Sequence, residues 1–183
     1  VEKGSRITYG VVKPGSNDID GVLFIRGGDI FSGRIHEGQL RRIPKEVSEQ
    51  YKRTLLSGGE VLISLVGYPG EAALVPQHLR GANIARQVAL VRLSKSLAPI
   101  PDFVCKYLQS DLGRRQLLKE AIGSAQQVIN LRDIQKVSVA LPTATDEQRA
   151  IAAALSDVDA LLGGLDRLIA KKQGFKVAAM QQL

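Results

Sequence analysis

Along the 183 residues the apolar positions change rhythm twice, and the three textures predict three kinds of structure. Up to about residue 93 they come in short runs bounded by glycine and proline: "GVLFIR" at 21–26, "EVLISLVG" at 60–67, "EAALVP" at 71–76 and "VALVRL" at 88–93. Such runs read as strands joined by turns, and 13 of the 18 glycines lie before residue 82. No alternating strand–helix rhythm accompanies them, which disfavours a doubly wound sheet. After Pro99 and Pro101, Phe103, Val104, Tyr107 and Leu108 fall at helical spacing. Ser110 is placed to cap a second helix over "DLGRRQLLKEAIG", which Gly123 ends. "AQQVI" then returns to extended structure, Asn130 caps a single turn through Asp133, "KVSVALP" reads as a strand, and Pro142 closes the body.

The third texture is one long helix. Thr145 and Gln148 have the spacing of a capping box, and Asp146 and Glu147 suit the first turn of a helix dipole. Ile151, Leu155, Val158, Leu162, Leu165 and Ile169 follow at alternating steps of four and three, the narrow apolar seam of a coiled coil, until Lys172 breaks it. A helix from 146 to about 182 is ~55 Å long at 1.5 Å per residue, so part of it must project from a small domain. Gly163 and Gly164 interrupt it, each costing ~0.8–1 kcal/mol relative to alanine in an exposed helix interior. They predict a bend, or a crossing point where two paired backbones approach closely. The expected fold is α+β: an irregular, loop-rich β-sheet domain with short helices at 1–142, and a long coiled-coil helix at 143–183 that pairs or spaces.

Charge adds a partner class. The net charge of +7 and pI near 9.7 favour a polyanion. Residues 1–100 hold 14 basic against 9 acidic side chains and residues 146–183 hold 5 of each, so the excess sits in the body and not in the helix. Its densest part is Arg41, Arg42, Lys45, Lys52 and Arg53, with Arg26 and Arg34 just upstream. Tyr51 and Tyr68 suit amphipathic contacts to sugar or bases, and Asn83, Gln126 and Gln127 carry amides suited to base edges. A single Cys105 excludes an internal disulfide and points to a reducing, cytoplasmic setting; its apolar helical surroundings predict a buried, inert thiol. No run approaches the ~20 apolar residues a membrane span needs.

Catalytic constellations are missing. There is no G-x-x-x-x-G-K-[ST] and no G-x-G-x-x-G after a strand; "GYPGE" has two glycines without the lysine. Pro101-Asp102 lacks the downstream Asp/Glu-x-Lys of a metal-dependent nuclease, and His36 and His78 have no visible catalytic partner. The classes left are a DNA-binding module, a coiled-coil scaffold without sequence preference that binds a larger protein, and, as the least favoured, a small basic nuclease.

Taken together and in order, "ITYGVVKPG", "DGVLFIRGGDIFSGRI", "EQYKRTLLSGGEVLISLVGYPGEAALVP", "GANIARQVALVRL", "GSAQQVINLRDIQKVSVALP" and "DEQRAIAAALSDVDALL" resemble a target recognition domain and adjoining conserved helix of a type I restriction-modification specificity subunit. The most specific pieces are the strand and turn at 59–67, "GSAQQ-x-I" at 123–129 and "LP…EQRAI" at 141–151. Such subunits carry two recognition domains and two antiparallel helices, each domain reading half of a split DNA target. The resemblance therefore implies half a subunit, either a natural one or a fragment. It implies a non-catalytic chain with no cofactor of its own; S-adenosylmethionine, Mg²⁺ and ATP would serve methyltransferase and restriction-motor partners. The chain departs from the family in having one domain, and in Thr143-Ala144-Thr145-Asp146 standing where a proline- and leucine-rich lead is usual.

On this reading the loops of 23–53 and 64–86 dock in the major groove of double-stranded DNA, using Arg26, Arg34, Arg41, Arg42, Lys45, Lys52, Arg53, Tyr68, Asn83 and Arg86. The helix pairs through Ile151, Leu155, Val158, Leu162, Leu165 and Ile169, with Gly163 and Gly164 at the crossing. Its partner is a second recognition half or a second copy of the chain, held about one turn of DNA away, roughly 34 Å.

Overall fold

A computed structural model of the chain describes residues 6–93, 100–119 and 128–180. The early apolar runs become strands. In chain order they are β1 (Arg6–Tyr9), β2 (Val22–Ile25), β3 (Ile30–Phe31), β4 (Arg34–Ile35), β5 (Arg41–Ile43), β6 (Val61–Ser64), β7 (Ala72–Leu74), β8 (Asn83–Ile84) and β9 (Val88–Arg92). A short helix, α1 (Lys45–Gln50), lies between β5 and β6. Four strands form an antiparallel sheet in the order β1-β9-β6-β7. In a second sheet, ordered β5-β2-β8, β2 pairs antiparallel with β5 and parallel with β8. β3 and β4 form a separate hairpin.

Apart from Ser64 and Arg92 at their ends, the central strands β6 and β9 are apolar because both of their faces are covered. Val61, Ile63, Ala89 and Val91 face a core shared with Val104, Cys105 and Leu108. Leu62, Val88 and Leu90 face a second core with Ile25 and Ile84 of the smaller sheet and Leu79 of the turn before β8. Antiparallel strands usually alternate because one face is wet; sandwiched between two layers, these read as continuous runs. Burying each large aliphatic side chain contributes ~1.5–3 kcal/mol. A third cluster, Val11, Phe24, Ile43 and Ala85, closes the far side of the smaller sheet beneath Val47 and Tyr51.

The helices α2 (Pro101–Gln109), α3 (Asp111–Leu118) and α4 (Leu131–Gln135) follow. Ser110 caps α3 as its position predicts, its hydroxyl accepting the Gly113 N–H at 3.3 Å. Asp133 accepts the Asn130 N–H at 3.4 Å at the start of α4. The expected end at Gly123 and the extended stretch 125–127 lie outside the described residues. The strand expected at "KVSVALP" does not form. Val137, Val139 and Leu141 do pack on the core, but the Gln116 side chain takes the place of a neighbouring strand. It accepts the Ser138 N–H at 2.9 Å and donates to the Ser138 carbonyl at 3.1 Å.

Helix α5 (Thr145–Met180) contains 36 residues and runs unbroken through both glycines. Its start differs from the expected capping box: Thr145 is already helical, and Gln148 does not reach back to the helix end. Gln148 is 1% exposed, and its amide accepts the Ile100 N–H and donates to the Pro142 carbonyl, both at 2.9 Å. Tying the helix to the body satisfies two backbone groups that a cap would have left unpaired. Ala152 is buried on the same face, and Ser156, Asp159 and Gly163 continue it half-buried. The apolar seam lies roughly a quarter-turn around the axis, away from the body.

Candidate nucleic-acid interface

Of the predicted basic cluster, Arg41 and Arg42 lie on an edge strand of the smaller sheet and Lys45 just after it. β5 is an outer strand of that sheet, which leaves Arg42 at the surface; Pro44 then turns the chain into α1, whose first residue is Lys45. Arg42 donates to the Gly21 carbonyl at 2.8 Å and Arg41 to the Gly15 carbonyl at 3.4 Å, so both also hold the loop that precedes β2. Lys52 and Arg53 lie in a single 3-10 turn, Lys52–Thr54. Lys45, Lys52 and Arg53 are exposed and form no salt bridge among the described residues.

Three expected site residues are placed differently. Asn83 is 0% exposed and reads nothing outside the fold. Its carbonyl oxygen accepts from Thr54 Oγ1 at 2.7 Å and from the Ile84 N–H at 2.9 Å, while Nδ2 donates to Ser48 Oγ at 3.0 Å. A buried amide is retained only when it is satisfied, and here it ties α1 and the 3-10 turn to β8. Arg26 is turned onto Asp29 in a two-point pair, Nη2–Oδ1 at 2.7 Å and Nε–Oδ2 at 3.0 Å. The hydrogen bonds to Asp29 raise the guanidinium pKa further, against the lowering effect of burial. Arg34 reaches the long helix: Nη2 donates to the Asp159 carbonyl at 3.4 Å, and a Cβ at Gly163 would lie 3.2 Å from that nitrogen. Gly163 thus faces the body, whereas Gly164 is open apart from Arg167 at 4.0 Å. Lys106 completes this junction with an ion pair to Asp159.

Tyr68 is 50% exposed at the tip of the β6–β7 loop. Gly67 (φ +102°) and Gly70 (φ +84°) flank it in left-handed backbone that other residues rarely adopt. Beneath it lies Phe31, with ring centroids 5.2 Å apart, and Phe31 in turn stacks on His36 at 3.4 Å. His36 Nε2 donates to the Phe31 carbonyl at 3.1 Å, fixing the ring. The loop is pressed against the Arg26 turn because Gly27 has no side chain; a Cβ there would fall 2.1 Å from the Val66 carbonyl oxygen. The result is a pre-ordered aromatic ledge with one tyrosine at the surface, which suits contact with sugars or a thymine methyl. Tyr51 is instead packed against the cluster around Phe24, and Gln126 and Gln127 lie outside the described residues.

Arg86 is exposed in the turn between β8 and β9, on the opposite edge of the smaller sheet from Arg42. It shares an open groove of about 870 Å³ with Tyr9, Arg132 and Lys136. Arg132 and Lys136 stand outside the basic cluster that the sequence predicts. The available signal was their i, i+4 spacing directly after the Asn130 cap, which puts both on one face of a short helix.

Among the described residues there is no group of three or more His, Cys, Asp or Glu able to hold a metal ion. Cys105 is buried, and desolvation pushes its thiol up to about 12, beyond the range of a useful nucleophile. No helix among the described residues is long and apolar enough to cross a membrane.

A family model described as the type I restriction modification DNA specificity domain matches residues 16–170. The type I restriction enzyme EcoBI specificity subunit of Escherichia coli is 31% identical over 145 residues, covering 79% of this chain and 30% of that protein. Among solved structures, the HsdS subunit from Thermoanaerobacter tengcongensis superimposes with a TM-score of 0.62 at 20% identity, over 98% of this chain and 48% of the other. The type I restriction-modification system S subunit from M. genitalium gives 0.58 at 17% identity, over 90% and 39%. The chain therefore spans about a third of the curated relative and under half of these solved chains.

Proposed function

The chain belongs to the type I restriction modification DNA specificity domain family, and from that premise we propose that it reads one half of a bipartite DNA target for a type I restriction-modification complex. In this reading residues 1–142 form the target recognition domain, and residues 143–183 join it to a second recognition half or a second copy of the chain. Type I specificity subunits are in general non-catalytic. The chemistry would belong to methyltransferase and restriction subunits that this chain positions on DNA.

The observation that carries the reading is the family match across both the body and most of α5. The charge distribution supports it: exposed Arg42, Lys45, Lys52 and Arg53 supply sequence-independent contacts to phosphates, and the Tyr68 ledge supplies a rigid group for a groove. Asn83 takes no part in base reading, and Arg26 and Arg34 act through the positions of their loops.

The helix supports the second half of the proposal. Leu155, Val158, Leu162, Leu165 and Ile169 are all about half exposed, a stripe that a paired helix would cover. In this role the Gly163–Arg34 contact sets the angle between helix and body, and Gly164 remains the open position for close approach of a partner.

The test is duplex binding by the complex assembled with methyltransferase subunits, challenged with random-sequence competitor. A recognition subunit retains a preferred sequence under competition; a scaffold without DNA specificity shows none. Arg41→Ala/Arg42→Ala/Lys45→Ala is expected to weaken binding to all sequences alike and to lower the salt slope by about one for each phosphate no longer neutralised. Unchanged binding by that variant removes the β5–α1 edge from the interface.

A further inference from the structure

We infer that the groove between the β8–β9 turn and α4 is a second DNA-backbone contact, in which Arg86, Arg132 and Lys136 hold the phosphates of one strand. The inference rests on the DNA-binding reading above and extends it to a surface separate from the β5–α1 edge.

Three elements distant in sequence converge there. Arg86 comes from the β8–β9 turn, Arg132 lies on α4 with Lys136 four residues on, just past its end, and Tyr9 enters from the end of β1. Arg86 and Arg132 form no salt bridge among the described residues. The groove holds one carboxylate, Asp133, and it is committed within α4, accepting the Asn130 N–H and lying 3.3 Å from Lys136 Nζ. Lys136 is 66% exposed and only loosely held by that pair, so it is free to swing toward an anion. Among the described residues the groove therefore sets three cations against one carboxylate and keeps an excess of positive charge.

Its shape selects the ligand class. A pocket for a small anion would bury its cations around one point, but these three are all exposed at an open groove of about 870 Å³. Solvated cations suit a charged chain, whose counterions they release on binding. Exposed Tyr9, Gln87 and Asn130 add neutral groups of the kind that contact sugar and phosphate oxygens.

Position joins the groove to the reading loop. The Leu65 N–H donates to the Gln87 carbonyl at 2.8 Å, and Leu65 and Val66 line the groove before the chain climbs to Tyr68. A strand seated on Arg86, Arg132 and Lys136 would run past the base of the Tyr68 loop. The groove then fixes register while the loop faces the bases.

The experiment measures the full chain binding a fluorescent random-sequence duplex of about 30 base pairs between ~50 and ~200 mM salt. Relative to wild type, Arg86→Gln/Arg132→Gln/Lys136→Gln is expected to lower the slope of log K against log salt by about two to three and to weaken binding by about 10-fold or more near 100 mM. Arg86→Glu alone, which leaves α4 untouched, is expected to weaken binding at least as much as any single neutral change, with an unaltered melting curve. Wild-type affinity and slope in the triple variant overturn the groove while leaving the DNA-binding reading standing. No duplex binding by wild type overturns both. Wild-type DNA binding combined with loss of a co-purifying methyltransferase subunit makes the groove a protein interface and also overturns the inference.

Discussion

The body and the helix treat the same residue types in opposite ways. Leu62, Ile63, Ile84 and Leu90 have no exposed surface, whereas Leu155, Val158, Leu162 and Leu165 are about half exposed along α5. Sequence periodicity alone does not separate these outcomes, because a seam packed on its own domain and a seam awaiting a partner have the same spacing. The difference lies in which face of α5 meets the body. That face carries Gln148, Ala152, Ser156, Asp159 and Gly163, which are small or polar, and it docks through hydrogen bonds and an ion pair. The body buries its own apolar side chains, while the helix docks through small and polar residues and leaves its apolar stripe exposed.

Core truncation provides the largest contrast. Leu62→Ala is expected to cost ~2–5 kcal/mol in urea denaturation, since it empties a fully buried site between the two sheets. Leu162→Ala is expected to fall within about 0.5 kcal/mol of wild type while weakening self-association or pairing with a second recognition half, as read by sedimentation. Equal costs at the two positions would mean that the seam is already covered.

At the junction the expected effect is intermediate. Gln148→Leu strands the Ile100 N–H and the Pro142 carbonyl, and unsatisfied buried groups of this kind cost ~1–3 kcal/mol. Hydrogen exchange at Ile100 is expected to rise while the sheet amides stay protected. Uniform loss of protection would instead mean that α5 is part of the core.

The smallest effect is a pH dependence. The thiol of Cys105 is held neutral up to about 12 in the folded chain, well above its ordinary value. Below the unfolded-state pKa, near ~8.5, both states are protonated and Cys105 makes no difference to stability across neutral pH. Above it the unfolded state ionises first and stability falls with rising pH, a slope that Cys105→Ser removes. Alkylation of native protein at neutral pH is expected to be slow, and rapid labelling would place the thiol at the surface.

Much of this fold is legible in the sequence, for identifiable reasons. The strands at 61–64 and 88–92 and the caps at Ser110 and Asn130 follow from local patterns that tertiary packing reinforces. Misreadings arise where a long-range partner replaces a local one. Gln148 has capping-box spacing yet bonds to Ile100 and Pro142, and Gln116 substitutes for a strand beside Ser138. The candidate interface is legible as charge but not as geometry. Arg26 and Arg34 carry the right side chain for DNA, but Asp29 and the helix claim them, and the polarity of Asn83 serves the interior. Arg132 and Lys136 do not stand out along the chain because only folding brings α4 alongside the β8–β9 turn.

In the proposed division of labour the body carries sequence specificity and the helix carries assembly. Its most direct test is a map of the bases methylated by a complex reconstituted around this chain. The expected result is a single short sequence element that depends on residues 1–142, repeated or joined to a second element across a fixed gap. Methylation scattered without sequence preference, or an unchanged target after residues 1–142 are exchanged for those of another family member, would contradict it.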